Sequence, residues 1–155
     1  GQVVLRRKCN GAKPATEATA YWRLDVGSKR LEETMVIRSY GDLEVYKRSY
    51  SLALEIHRLS FTLPEKERYE LSSQIRRAAV SIPLNIAEGY GRKESKAEFK
   101  HFLRNSLGSC NEVQVLLRML SDLGYIGEQI YCSFKNEYDI LGKQLNKLIQ
   151  VWQKL

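Results

Sequence analysis

Leu71-Ser72-Ser73-Gln74-Ile75-Arg76-Arg77-Ala78-Ala79-Val80-Ser81-Ile82-Pro83-Leu84-Asn85-Ile86-Ala87-Glu88-Gly89 is the stretch that decides the fold class. Within it, Leu71, Ile75, Ala78, Ile82, Ile86 and Gly89 recur at intervals of three and four. That is the period of a helix with one buried stripe. Pro83 lies inside the pattern. Its ring removes one amide donor and crowds the carbonyl of Ala79, at a cost of about 3 kcal/mol in an isolated helix. A helix that keeps its period through such a residue must be held by its neighbours, and a kink is expected at this point.

The same period extends on both sides. Ser39 with Asp42 matches a capping box, which predicts a first helix starting near Ser39. Its main stripe is Val45, Ser49, Leu52, Ile56, Leu59 and Leu63, and a second stripe holds Tyr46, Tyr50, Leu54, His57 and Phe61. Two adjacent stripes give a wider apolar arc than one intramolecular contact needs, so Tyr46 and Tyr50 are candidate subunit-interface residues. Pro64-Glu65-Lys66-Glu67 suits the start of a second helix, which Gly89-Tyr90-Gly91 ends. Ser95 with Glu98 caps a third, with the stripe Phe99, Leu103, Ser106, Cys110, Val113, Leu117 and Leu120. Gly124 suits a left-handed helix stop. Ile130, Phe134, Tyr138, Leu141, Leu145, Leu148, Trp152 and Leu155 mark a fourth helix.

Four long amphipathic segments with short links predict an all-α fold, an antiparallel up-down-up-down four-helix bundle over residues 35–155 with a kinked second helix. Residues 1–34 show no sustained period and read as a weakly structured or docked N-terminal leader. Val3-Val4-Leu5 and Tyr21-Trp22-Arg23-Leu24 there could pair as short strands.

Composition narrows the function classes. The chain has 155 residues, a net charge of +7 and a pI near 9.4. Such a surplus favours a polyanionic partner: RNA, DNA or an acidic protein surface. No apolar run approaches the roughly 18 to 20 residues of a membrane span, and no secretory leader is visible. Cys9, Cys110 and Cys132 are an odd count without metal-ligand spacing, which suggests a reduced, cytoplasmic chain.

Catalytic groups do not assemble. His57 and His101 are the two histidines, and neither has metal-motif partners at helical spacing. No serine stands in a nucleophile elbow. Gly89-Tyr90-Gly91-Arg92-Lys93 lacks the spacing of a phosphate loop and follows no strand. The expectation is a protein without enzymatic activity, cofactor or metal.

The basic residues are better organised. Arg92 and Lys93 fall in the link after the second helix, and Lys96, Lys100 and Arg104 line one face of the third at spacing four. Lys143, Lys147 and Lys154 form a further row on the fourth helix. Rows of this kind suit phosphate contacts, and Tyr90 offers a ring for stacking on unpaired bases. The plainer alternative is a solvated face part-paired with Glu94 and Glu98. Arg76 and Arg77 stand beside the core stripe and suit a structural or intersubunit role. Asn85 and Glu88 suit hydrogen bonds between helices.

Arg76-Arg77-Ala78-Ala79-Val80-Ser81-Ile82-Pro83 followed by Asn85-Ile86-Ala87-Glu88-Gly89 resembles the signature of the bacterial four helix bundle proteins, also called ribosomal RNA intervening-sequence proteins. Ile37 to Lys47, Ser106-Leu107-Gly108-Ser109 and Asp122 to Ile126 resemble further landmarks of that family. The resemblance covers residues 35–155. It implies a homo-oligomer, a pentamer by analogy with the related accessory variability determinants of diversity-generating retroelements. Those proteins bind nucleic acid and a partner reverse transcriptase. The expected function is therefore a non-enzymatic, oligomeric RNA- or DNA-binding accessory. A protein-protein scaffold that recruits a partner such as a reverse transcriptase through helix faces is the alternative.

Overall fold

The structure, a computed structural model, describes residues 37–152. The leader, Lys154 and Leu155 lie outside the described residues, as do the short strands expected near Val3 and Tyr21. Four helices follow in order: α1 (Glu44–Ser60), α2 (Leu71–Gly91), α3 (Lys96–Asp122) and α4 (Glu128–Val151). They are all-helical secondary structure and pack as a four-helix bundle, α1 on α2, α2 on α3, α3 on α4 and α4 back on α1. The α2–α3 contact is the most extensive and the α1–α4 seam the shortest.

Both early helix starts come later than the sequence predicts. Ser39 and Asp42 do form a capping box, but it closes a single 3₁₀ turn, Tyr40–Asp42. Leu43 then adopts an extended conformation and α1 begins at Glu44. Asp42 receives the amides of Arg38 and Ser39 at 2.9 and 2.8 Å, and these bonds hold its carboxyl below the usual range. Pro64 likewise opens a 3₁₀ turn, Glu65–Glu67, and α2 begins only at Leu71. A proline and acids favour a helical start without deciding whether the first turn continues.

α2 runs through Pro83 without interruption. Three side chains bond to backbone carbonyls around it. Ser81 Oγ donates to Ala78 O at 2.8 Å, Asn85 Nδ2 to Ser81 O at 2.7 Å, and Ser106 Oγ from α3 to Ile82 O at 3.0 Å. The last of these fixes α3 to the α2 backbone next to the proline. A hydroxyl–hydroxyl bond between Ser81 and Ser109 adds a second tie. These serines are the interhelical polar contacts. Asn85 instead bonds within its own helix, and Glu88 is exposed and pairs with Arg92 at 3.1 Å. The cross-helix role expected of both is taken by smaller hydroxyls, which fit where the helices lie close.

The core follows the expected stripes. Val45, Ser49, Leu52, Ile56 and Leu63 are buried on the α1 side, and every residue of the α3 stripe is buried. On α4, Tyr138, Leu141 and Leu145 are fully buried, whereas Ile130 faces solvent and Tyr131 takes the inward position. Gly124 adopts φ +74°, and Tyr125 N donates to Leu120 O at 2.9 Å, so the left-handed stop lies where expected. Cys110 is free and buried, and burial pushes its thiol up to about 11. No helix among the described residues is long and apolar enough to cross a membrane.

Candidate nucleic-acid interface

The basic residues of α3 begin at its first residue, Lys96, directly after the α2–α3 link. Ser95 Oγ accepts the Glu98 amide at 3.3 Å and fixes where α3 starts, and hence which way its side chains point. Lys96 and Arg104 are exposed. Lys100 is not: it is only 7% exposed, and it follows the fully buried Phe99 in sequence. The uniform three-residue row expected from spacing is therefore two exposed cations one turn either side of a buried one. Long cationic side chains bury their methylenes readily, and spacing alone does not reveal when they do so.

The link residues are engaged within the molecule. Arg92 pairs with Glu88 at 3.1 Å and with Glu98 at 3.9 Å, and its guanidinium lies 5.2 Å from the centre of the Phe102 ring. Lys93 Nζ sits 3.9 Å from the centre of the Tyr90 ring. Tyr90 is itself buried, packs edge-on against Phe99, and donates its hydroxyl to Ile37 O at 3.2 Å. It is therefore a core residue and not the base-stacking platform that its place in the link suggests.

Lys143 and Lys147 are exposed on α4 at spacing four. α3 and α4 run antiparallel, with the Phe99 and Trp152 rings 4.6 Å apart and Gly142 beside Leu107. The first turns of α3 therefore lie at the same end of the bundle as the last turns of α4. Lys96 lies at that end, Arg104 and Lys147 lie further along the same half of the bundle, and Lys143 lies next to Gly142 near its middle; none of the four has an acidic partner among the described residues. Glu98, expected to neutralise the α3 row, is turned to Arg92 instead. His101 is exposed, with Nε2 3.5 Å from Asn105 Nδ2 and its ring against Phe102.

Arg76 and Arg77 separate in the structure. Arg77 is exposed, while Arg76 is half-buried and donates to Ser60 Oγ at 3.0 Å. Tyr46 packs between Tyr40, at 4.8 Å edge-on, and Tyr50, at 6.1 Å stacked. Tyr50, Leu54 and Phe61 stand out from the surface, 51%, 42% and 71% exposed. Of the second apolar stripe of α1, Tyr46 packs against the core, while Tyr50, Leu54, His57 and Phe61 are exposed. Among the described residues no cluster of His, Cys, Asp and Glu could hold a metal ion.

An all-helical bundle with serine-bridged α2–α3 packing around an internal proline, and exposed cations on α3 and α4, defines a class of small basic helical-bundle proteins. Residues 41–147 match the 23S rRNA-intervening sequence protein family, and the chain belongs to that family. A solved structure from Bacteroides thetaiotaomicron VPI-5482, described as a protein of unknown function from the S23 ribosomal protein family, is similar to it. The two share 30% identity and a TM-score of 0.63, over 68% of this chain and 95% of the other. No curated protein matches the chain.

Proposed function

We propose that this protein is a non-enzymatic nucleic-acid-binding accessory that works as a homo-oligomer. Four exposed cations with no acidic partner among the described residues, Lys96 and Arg104 on α3 and Lys143 and Lys147 on the adjacent α4, support the reading most strongly. Surface cations that are already paired gain little by meeting a phosphate, whereas unpaired ones release the counterions condensed on the nucleic acid. The family, named for ribosomal RNA inserts, favours RNA as the partner. Repeating a four-cation patch around an oligomer multiplies its effective affinity without new contacts. Lys100 and Tyr90 have no direct part in this contact, and Arg92 and Lys93 contribute secondarily.

Binding to a structured RNA should weaken steeply between low and moderate salt. The double reversal Lys96→Glu/Arg104→Glu, and separately Lys143→Glu/Lys147→Glu, should each cut affinity by more than tenfold in low salt. Unchanged affinity in both would end the proposal. The uncovered row Tyr50, Leu54 and Phe61 favours a second reading, a scaffold that recruits a protein such as a reverse transcriptase. Partner capture that survives both charge reversals but is lost with Leu54→Ser would favour that scaffold.

A further inference from the structure

At the opposite end of the bundle from Lys96, a cleft of about 260 Å³ opens where α1 ends and α2 begins. Ser60, Arg68, Ser72 and Arg76 line it together with Phe61 and Glu65. Each polar group there has capacity to spare. Arg76 carries five donors and uses one, on the neutral Ser60 hydroxyl, whose own proton goes to His57 O at 2.7 Å. Among the described residues no carboxylate pairs with Arg76. Arg68 meets Glu65 at only 3.7 Å, and that glutamate is almost fully exposed.

Ser72 is the decisive residue. It is 1% exposed, yet its hydroxyl has no hydrogen-bond partner. A buried hydroxyl left unpaired is costly, and native proteins rarely keep one without a use. Ser72 also occupies the first turn of α2. Glu70 at the cap makes no side-chain hydrogen bond, and the amides of Leu71, Ser72 and Ser73 have no carbonyl acceptor. The first turn of a 21-residue helix, through Ser72 with its spare buried hydroxyl, and two arginines therefore line one small space.

We propose that this cleft binds a phosphate group. Two guanidinium charges match a dianion, and the donors come from different elements, as a tetrahedral oxyanion requires. The volume falls below the roughly 300 Å³ at which sites for larger ligands begin, so the group held inside is small. Phe61 stands at the rim, where a planar moiety carried by the phosphate would lie against its ring. The site does not rest on the nucleic-acid reading, because it shares no residue with the basic patch.

Amide NMR on the full chain, titrated with inorganic phosphate against sodium chloride at matched ionic strength, tests it. Saturable shifts of the Leu71, Ser72 and Ser73 amides are expected. Ser72→Ala should weaken binding by about fivefold, the worth of one hydrogen bond. Arg76→Gln should weaken it by more than tenfold, whereas Lys96→Glu/Arg104→Glu should leave it unchanged. A nucleoside 5′-monophosphate that binds more tightly than phosphate, with the gain lost in Phe61→Ala, identifies an organic monoester. Equal affinity identifies free phosphate, and both outcomes support the site. Shifts no larger than chloride produces, or equal binding by Ser72→Ala, Arg76→Gln and the unaltered chain, would overturn it. Ser72→Ala changes one atom, so it keeps the test valid if Arg76→Gln fails to fold.

Discussion

Tyr138 is fully buried, yet its hydroxyl has no hydrogen-bond partner. Burial drives its phenol well above the ordinary range and keeps it protonated. Removing an unsatisfied buried hydroxyl while keeping the ring recovers its desolvation cost, typically about 1–3 kcal/mol. Tyr138→Phe is therefore expected to stabilise the fold, seen as a higher thermal midpoint at neutral pH. The same burial shapes the alkaline side. Cys110 releases its proton near 9.0 when unfolded and only near 11 when folded, because the core disfavours the thiolate. Between those values the unfolded chain holds fewer protons, so stability falls as pH rises from about 9 to 11. Thermal melts across that range should show the decline, and Cys110→Ala should flatten it below about pH 10, above which the raised Tyr138 phenol adds its own decline. A wild-type midpoint that stays level to pH 11 would contradict the assignment of a buried, protonated thiol.

Close packing of α2 on α3 is settled at Gly89. A Cβ there would lie 2.6 Å from Phe102 Cβ and 3.0 Å from Phe99 Cδ2. Phe102 Cβ is attached to the α3 backbone and cannot rotate away, so the helices would have to part. Gly89→Ala is expected to destabilise by about 1–3 kcal/mol, the usual cost of overpacking. Gly108, in the exposed middle of α3, has nothing within 4 Å of the same added atom. There the identical change should stabilise by about 0.5–1 kcal/mol through helix propensity alone. Denaturant melts of the two variants should move in opposite directions. The contrast also marks what could be read in advance. The α3 stripe and the Gly124 stop were legible because periodicity and a positive φ each follow from residue type. Lys100, Tyr90 and Glu88 were not, since a lysine stem, a ring in a link and a helical glutamate each have two physically reasonable environments. Which one applies depends on the neighbouring helix, and no spacing rule holds that information. Of the serine ties around Pro83, only Ser106 lay on a legible stripe, and serine at a stripe position signals burial without naming its partner; Ser81 and Ser109 lay off the stripes.

At the scale of the whole molecule, the uncovered row on α1 and the unpaired cations lie on different elements and should be separable. Tyr50, Leu54 and Phe61 are large apolar side chains in water, and contiguous apolar surface on a small protein marks a contact with another chain. Polar replacement there removes nothing from the core, so Leu54→Ser and Tyr50→Ser should leave the unfolding free energy within about 0.5 kcal/mol of the original, the usual range for surface changes. If the row joins copies of the chain, sedimentation velocity should show the pair of substitutions shifting the protein to a smaller species. Nucleic-acid affinity should fall in parallel, because each released subunit keeps its four cations but loses the multiplied effective concentration of the assembly. The charge reversals Lys96→Glu/Arg104→Glu should do the opposite, lowering affinity while the sedimentation profile stays as it was. A loss of affinity in the apolar variants without any change in sedimentation would break the link between assembly and binding. The α1 row would then be a surface for a different protein, and the basic patch would have to bind nucleic acid as a single copy.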